Sequence, residues 1–252
     1  MLGIVKNWVK AKVGRSRSFS GRRHPLVRHC IGTGRVLVID PHEYRRIGST
    51  PYGAILPLED REVVLTFDDG PLPPYTNSVL DTLAAERVRA TFFIVGRMAR
   101  RTPDLVRRAF HEGHTIATHT QNHRDPRELS LAQAVGEIED GIASTSAALH
   151  DLPALAPFFR FPFLNNSSKL EEHLISRGIA SWGVDVNPED WTDISSNQVI
   201  RRVLHGLERT GKGIILLHDI QAVTARALPK LLSKLKRRGY SIVHVVPPPI
   251  IS

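Results

Sequence analysis

Two acidic residues in succession, Asp68 and Asp69, stand in the run Thr66-Phe67-Asp68-Asp69-Gly70, behind the apolar segment Val63-Val64-Leu65 and ahead of Pro71. Side chains alternate along a strand, so neighbours at its end face different ways. One carboxylate can then take a metal while the other faces a reacting atom. Taken alone, Asp-Gly-Pro is also ordinary turn chemistry. Further along, His119-Thr120-Gln121-Asn122-His123 follows the strand-like Thr115–Thr118. Histidines at i and i+4 on one side of a helical turn can share a metal, although such a pair can equally be solvated or packed. Asp69, His119 and His123 together give two imidazoles and a carboxylate. That donor set suits Zn²⁺ with a fourth position left for water.

These residues need a scaffold that gathers them. Strand-like apolar runs occur at 35–40, 63–67, 91–95, 115–118, 157–161, 179–185, 213–217 and 241–246, several of them β-branched, as buried parallel strands should be. Helical spacing fills most gaps. Val79, Leu80, Leu83 and Ala84 form one stripe. Ser130 with Gln133 reads as a capping box opening a second helix, Val199 to Leu207 is a third stripe closed by Gly211, and Leu228 to Leu235 a fourth ending at Gly239. Pro229 should fall in the first turn of that last helix or bend it. The alternation from residue 61 onward predicts an α/β fold, most simply a parallel β/α barrel. In such a barrel the reacting groups collect at the carboxyl ends of the strands. Asp68, Asp69, His119, His123, Arg160, Asp185, Asp190 and His218 all sit at or just after such ends. His114, Asp185, Asn187 and Asp193 receive no catalytic role.

The net charge of +9 looks like a nucleic-acid signal until it is located. Residues 1–35 hold nine basic side chains and no acidic one, which leaves 25 of each in the remainder. The folded body is therefore neutral, and no nucleic-acid partner is expected. Residues 1–35 read as a disordered basic arm, and 36–60 as a short strand and loop leading into a catalytic domain at 61–252. Leu2, Val5, Trp8 and Val9 could form one apolar helix face in the arm, allowing a weak contact with an anionic surface. No apolar run approaches the ~20 residues of a membrane-spanning helix, and no secretory signal is evident, so the expected compartment is the cytoplasm, with the periplasm or export as the alternative if the true start or signal is misassigned. The single cysteine, Cys30, excludes an intramolecular disulfide.

The chain resembles the polysaccharide deacetylases of carbohydrate esterase family 4, which include chitooligosaccharide, chitin and peptidoglycan deacetylases. The resemblance covers about residues 60–245 and rests on five motifs in the family's order: Thr66–Gly70; His119 with His123; Arg160-Phe161-Pro162-Phe163; Asp190-Trp191; and Leu216-Leu217-His218. In the third motif Phe163 replaces the family's Tyr. The resemblance implies a distorted (β/α)7 barrel and hydrolysis of the N-acetyl group of N-acetylglucosamine units in an oligo- or polysaccharide. It implies Asp68 as catalytic base, Asp69, His119 and His123 as metal ligands, and His218 as the acid that protonates the departing amine. Arg160 and Asp190 would brace the two titrating groups, and the backbone N–H at Phe163 would serve the oxyanion. Trp191 and Leu216 would form the pocket for the acetyl methyl. A main-chain donor survives the Tyr-to-Phe exchange, so that departure bears on substrate contacts more than on catalysis. Two other readings use the same residues: an O-acetyl esterase on a polysaccharide, and a catalytically silent glycan-binding or membrane-associated protein.

Overall fold

The computed structural model describes residues 30–150 and 155–249. Most of the basic arm, including its apolar face, lies outside the described residues. The described chain runs β1 (Thr33–Val38), β2 (Arg46–Ile47), β3 (Glu62–Asp68), α1 (Tyr75–Ala85), β4 (Thr91–Ile94), α2 (Gly96–Arg101), α3 (Pro103–His111), β5 (Thr115–Thr118) and α4 (Leu131–Ala148). It continues through β6 (Leu155–Phe159), α5 (Ser168–Ser176), β7 (Ala180–Trp182), α6 (Ser196–Thr210), β8 (Gly213–His218), α7 (Ala222–Arg237) and β9 (Ser241–Val246). Every ladder between named strands is parallel, as strand–helix alternation requires.

The expected distorted barrel is present, and the distortion can be located. Strands β3 to β7 pair in chain order, and β8 pairs with the free edge of β3 from Val63↔Gly213 to Asp68↔His218. Between β7 and β8 the contact is a single parallel bridge, Val186↔Ile215. β9 shares an edge of β3 with β4: β9 lies beside Glu62 and Val63, β4 beside Thr66 to Asp68. The seventh strand thus enters low, beneath β4, and carries β1 on its outer edge. Thr115, at the start of β5, donates its hydroxyl to Val245 O.

Alternation along β3 sorts its side chains into two cores. Val63, Leu65 and Phe67 join the layer between strands and helices, while Val64 joins the barrel interior with Phe93, Ala117, Phe158, Trp182, Ile214 and Val243. Trp182 packs between Phe93 and Phe158 at 5.6 and 5.1 Å. Burying each such side chain stabilises the fold by about 1.5–3 kcal/mol. Thr66 and Asp68 share the inward parity of Val64, so the strand itself delivers Asp68 to the top of the barrel.

The Ser130–Gln133 capping box opens α4, and Gly211 closes α6 with φ 74°. A second capping box, Ser195 with Gln198, starts α6. α7 begins at Ala222, so Pro229 lies inside the helix, not in its first turn. Helices α2, α3 and α5 and the two-residue β2 are additions to the sequence reading. Arg35, at the end of the predicted arm, belongs to β1, and its guanidinium pairs with Glu62. Among the described residues no helix is long and apolar enough to cross a membrane.

Candidate active site

Asp68 ends β3 opposite His218, the last residue of β8. Asp69 follows in a left-handed conformation, φ 76°, and both carboxylates approach His119 Nε2, at 3.9 Å from Asp68 and 3.4 Å from Asp69. Asp tolerates this region better than most residues. The loop after β5 brings in the imidazoles by a different route from the one expected. Thr120 and His123 both have positive φ (62° and 58°), so residues 119–123 are an irregular loop, not a helical turn. Thr120 Oγ1 accepts from His123 N at 3.1 Å and holds that loop.

Asp69 Oδ1 lies 3.4 Å from His119 Nε2 and 3.1 Å from His123 Nε2, and the three donor atoms fall within 4.8 Å of one another. Asp69 Oδ1 is buried without a hydrogen-bond partner. His119 Nδ1 sits 2.6 Å from Arg160 O. A carbonyl only accepts, so Nδ1 carries the proton and Nε2 turns its lone pair toward Asp69. An unpartnered carboxylate oxygen beside a tautomer-fixed imidazole and a second imidazole fits a divalent cation. Burial alone would raise Asp69. The neighbouring imidazoles of His119, His123 and His218 outweigh it and hold the carboxyl well below the usual range.

Asp68 is braced from the barrel interior. Arg160, fully buried just after β6, donates from one nitrogen to Asp68 Oδ1 at 2.6 Å and Thr66 Oγ1 at 2.9 Å, and from another to Gly183 O at 3.0 Å. Its guanidinium lies 4.1 Å from the centre of the Phe93 ring. The other carboxylate oxygen of Asp68, Oδ2, lies 3.9 Å from His119 Nε2.

His218 is braced separately. Its Nδ1 donates to Asp190 Oδ1 at 2.7 Å, and its backbone N to Asp190 Oδ2 at 2.9 Å. The Thr224 hydroxyl also donates to Oδ2, leaving Asp190 fully buried and well satisfied. Burial alone would lower His218. The Asp190 bond and charge, with Asp69 and Asp68 beyond, outweigh it and push the imidazole up to about 9. His218 Nε2 stands 4.0 Å from Asp69 Oδ2.

All these reactive groups border one cavity of about 350 Å³, whose apolar wall includes Phe161, Leu164 and Leu216. Phe163 and Trp191 flank it and are 61% and 47% exposed, unusual for rings of that size. The Phe163 ring meets His123 edge-on at 4.8 Å, and Trp191 meets His218 at 5.2 Å. Every sequence-predicted site residue is therefore in or directly behind this cavity. Thr66, Leu164, Thr224 and Asp219 were missed. Thr66 lies inside the quoted motif, and Asp219 follows His218 directly, whereas nothing marked Leu164 or Thr224. Asn187, left without a role, lines the cavity. Asp185 instead accepts from Ser49 N and Ile214 N, and His114 Nδ1 accepts from Ala90 N, away from the site.

A strand-end cluster of three candidate metal donors with one braced carboxylate and one braced imidazole, set on a distorted parallel barrel, defines the class. A family model described as polysaccharide deacetylase matches residues 56–182, the segment that carries Asp68, Asp69, His119, His123, Arg160 and Phe163. The chain is 35% identical over 203 residues to a chitooligosaccharide deacetylase of Bradyrhizobium sp. (strain ANU 289), covering 74% of this chain and 90% of that protein. It is 35% identical over 186 residues to a peptidoglycan-N-acetylglucosamine deacetylase of Listeria monocytogenes, covering 74% of this chain and 38% of that longer protein. Among solved structures, a Bdellovibrio bacteriovorus peptidoglycan deacetylase superposes with a TM-score of 0.77 at 28% identity, over 90% of this chain and 63% of that one. The chain belongs to the polysaccharide deacetylase family.

Proposed function

We propose that this chain hydrolyses the N-acetyl group of N-acetylglucosamine units in an oligo- or polysaccharide, with Zn²⁺ as the divalent ion. One observation carries the reading: two titrating groups with separate braces, Asp68 on Arg160 and His218 on Asp190, border the same cavity as a three-donor cluster. Asp69, His119 and His123 would hold the ion, which when bound supplies Lewis acidity toward water and the amide carbonyl.

Asp68 takes the proton from the attacking water, and Arg160 keeps the carboxylate aimed. The water oxygen bonds to the carbonyl carbon. The Phe163 backbone N–H is the proposed donor to the carbonyl oxygen as that oxygen gains charge. His218, protonated at neutral pH through Asp190, delivers its proton to the amine as the C–N bond breaks. Opposite charge partners thus set one group as base and the other as acid. Leu216 and Trp191 form the apolar wall against which the acetyl methyl packs, and exposed Phe163 meets the sugar.

The test is acetate release from acetylated chitooligosaccharides, peptidoglycan fragments and an O-acetylated polysaccharide, each with chelator and after Zn²⁺ is restored. Metal-dependent release from the amides is expected, and Asp68→Asn should lose about 10²–10⁴-fold in rate while retaining metal. Release from the ester alone would replace the amide reading. No release from any substrate would leave a glycan-binding protein.

A further inference from the structure

Asp69 reaches the imidazoles only because the chain turns sharply after β3, and that turn rests on a residue from another strand. Asp219, the first residue after β8, is fully buried. A Cβ on residue 70 would fall 2.0 Å from Asp219 Oδ2 and 2.4 Å from Oδ1, so the carboxyl group packs directly against the Gly70 backbone. Asp219 Oδ2 accepts from Thr76 Oγ1 at 2.5 Å, and Thr76 Oγ1 in turn accepts from Leu72 N at 2.7 Å. One carboxyl group therefore ties together the exit of β8, the turn beyond Asp69 and the first turn of α1. Its second oxygen, Oδ1, is buried with no hydrogen-bond partner. A carboxyl group left half-satisfied in a dry interior costs stability that an apolar side chain of similar size would not. Its presence there calls for a role other than stability.

We propose that Asp219 is a positioning residue of the metal centre. It holds the turn from Asp69 to Thr76 so that Asp69 Oδ1 stays aimed at His119 and His123. The proposal rests on the metal-binding reading above and concerns affinity for the ion, not the chemical step.

The test is calorimetric titration of metal-free protein with Zn²⁺, and with Co²⁺ as a spectroscopic probe, alongside circular dichroism of each variant. Thr76→Val and Asp219→Ala should bind about 10- to 100-fold more weakly while folded, the usual cost of removing a group that orients a ligand. Gly70→Ala should do the same, because its Cβ displaces the carboxyl. Asp219→Asn keeps the shape and the acceptor for Thr76, and should bind as the wild type does. Unchanged affinity in Thr76→Val and Asp219→Ala, with a lowered Tm, would reduce Asp219 to packing and overturn the proposal. Should Asp219→Ala fail to fold, Thr76→Val decides alone. A wild-type protein that binds neither ion would remove the metal reading itself, and this inference with it.

Discussion

Replacing Asp190 with Asn removes a charge and almost no volume, which isolates what that charge does to His218. In the native site the imidazole is pushed up to about 9, against burial that would lower it. Asp190 contributes the two largest raising influences, its hydrogen bond and its charge. Without them, burial competes only with Asp69 and Asp68, so His218 should return to about 6.5 or below. At pH 8 a group of pKa 9 is about 90% protonated and one of 6.5 about 3%, a loss of about 30-fold in acid form. At pH 6 the two differ by a factor of about 1.3. A cation at Asp69 lowers His218 in both proteins, and the influence of Asp190 remains as the difference between their alkaline limbs.

The assay is the pH profile of kcat for acetate release from a chitooligosaccharide, wild type against Asp190→Asn, from pH 5.5 to 9.5. The variant's alkaline limb should move down by more than two pH units, with near-parity at pH 6. A uniform loss across the range, or an alkaline limb left in place, would refute the assignment of His218 as an acid held by Asp190. Stability carries the same signature. A histidine raised on folding stabilises fully below its unfolded value of about 6.5, and the contribution disappears as pH rises through about 9. The displacement corresponds to about 3 kcal/mol. The Tm gap between wild type and variant should therefore be wide at pH 6 and narrow by pH 9.5.

Arg160→Met leaves Asp68, Thr66 and Gly183 O without their shared partner in a dry interior, and should lower stability by about 3–5 kcal/mol, measured by urea unfolding. The same variant should lose activity even where it remains folded, because Asp68 then loses the hydrogen bond that aims its carboxylate. Phe163→Tyr keeps the backbone donor and adds a hydroxyl to a ring that is 61% exposed, so kcat should be nearly unchanged and any effect should appear in KM. Phe163→Ala removes the ring against His123 and should raise KM several-fold on the same substrate.

The sequence showed the barrel through apolar runs that the strands reproduce within a few residues, and showed the site wherever chemistry sits at a strand end. Asp68 illustrates why: its inward direction follows from alternation with Val64 and Thr66, a strictly local rule. His119 and His123 do lie together, but not for the local reason their spacing suggests. Helical spacing suggested it, whereas two positive-φ residues in a loop produce it, and the backbone conformation of such loops has no periodic signal. β9 beneath β4 was likewise out of reach, because periodicity identifies strands without giving their neighbours.

The polar residues outside the sequence reading, Thr66, Thr224 and Asp219, share one property: each bonds a partner distant in sequence. Thr224 reaches Asp190 across 34 positions, and Thr76 reaches Asp219 across 143. A hydroxyl that donates to a buried carboxylate looks in sequence like any helix-surface Thr, since the carboxylate's burial is itself a product of the fold. Strand-end position marks Arg160 and Asp190 as candidates, whereas their role as braces comes only through the family resemblance. Local rules thus placed the two carboxylates that open the site. Long-range contacts supply the braces on which the proposed base and acid depend: Asp68 is held by a cation that arrives with β6, His218 by an anion that arrives after β7. Under the proposed mechanism each working group depends on its brace for its aim, so the chemistry of this site resides in Arg160 and Asp190 as much as in the groups they hold.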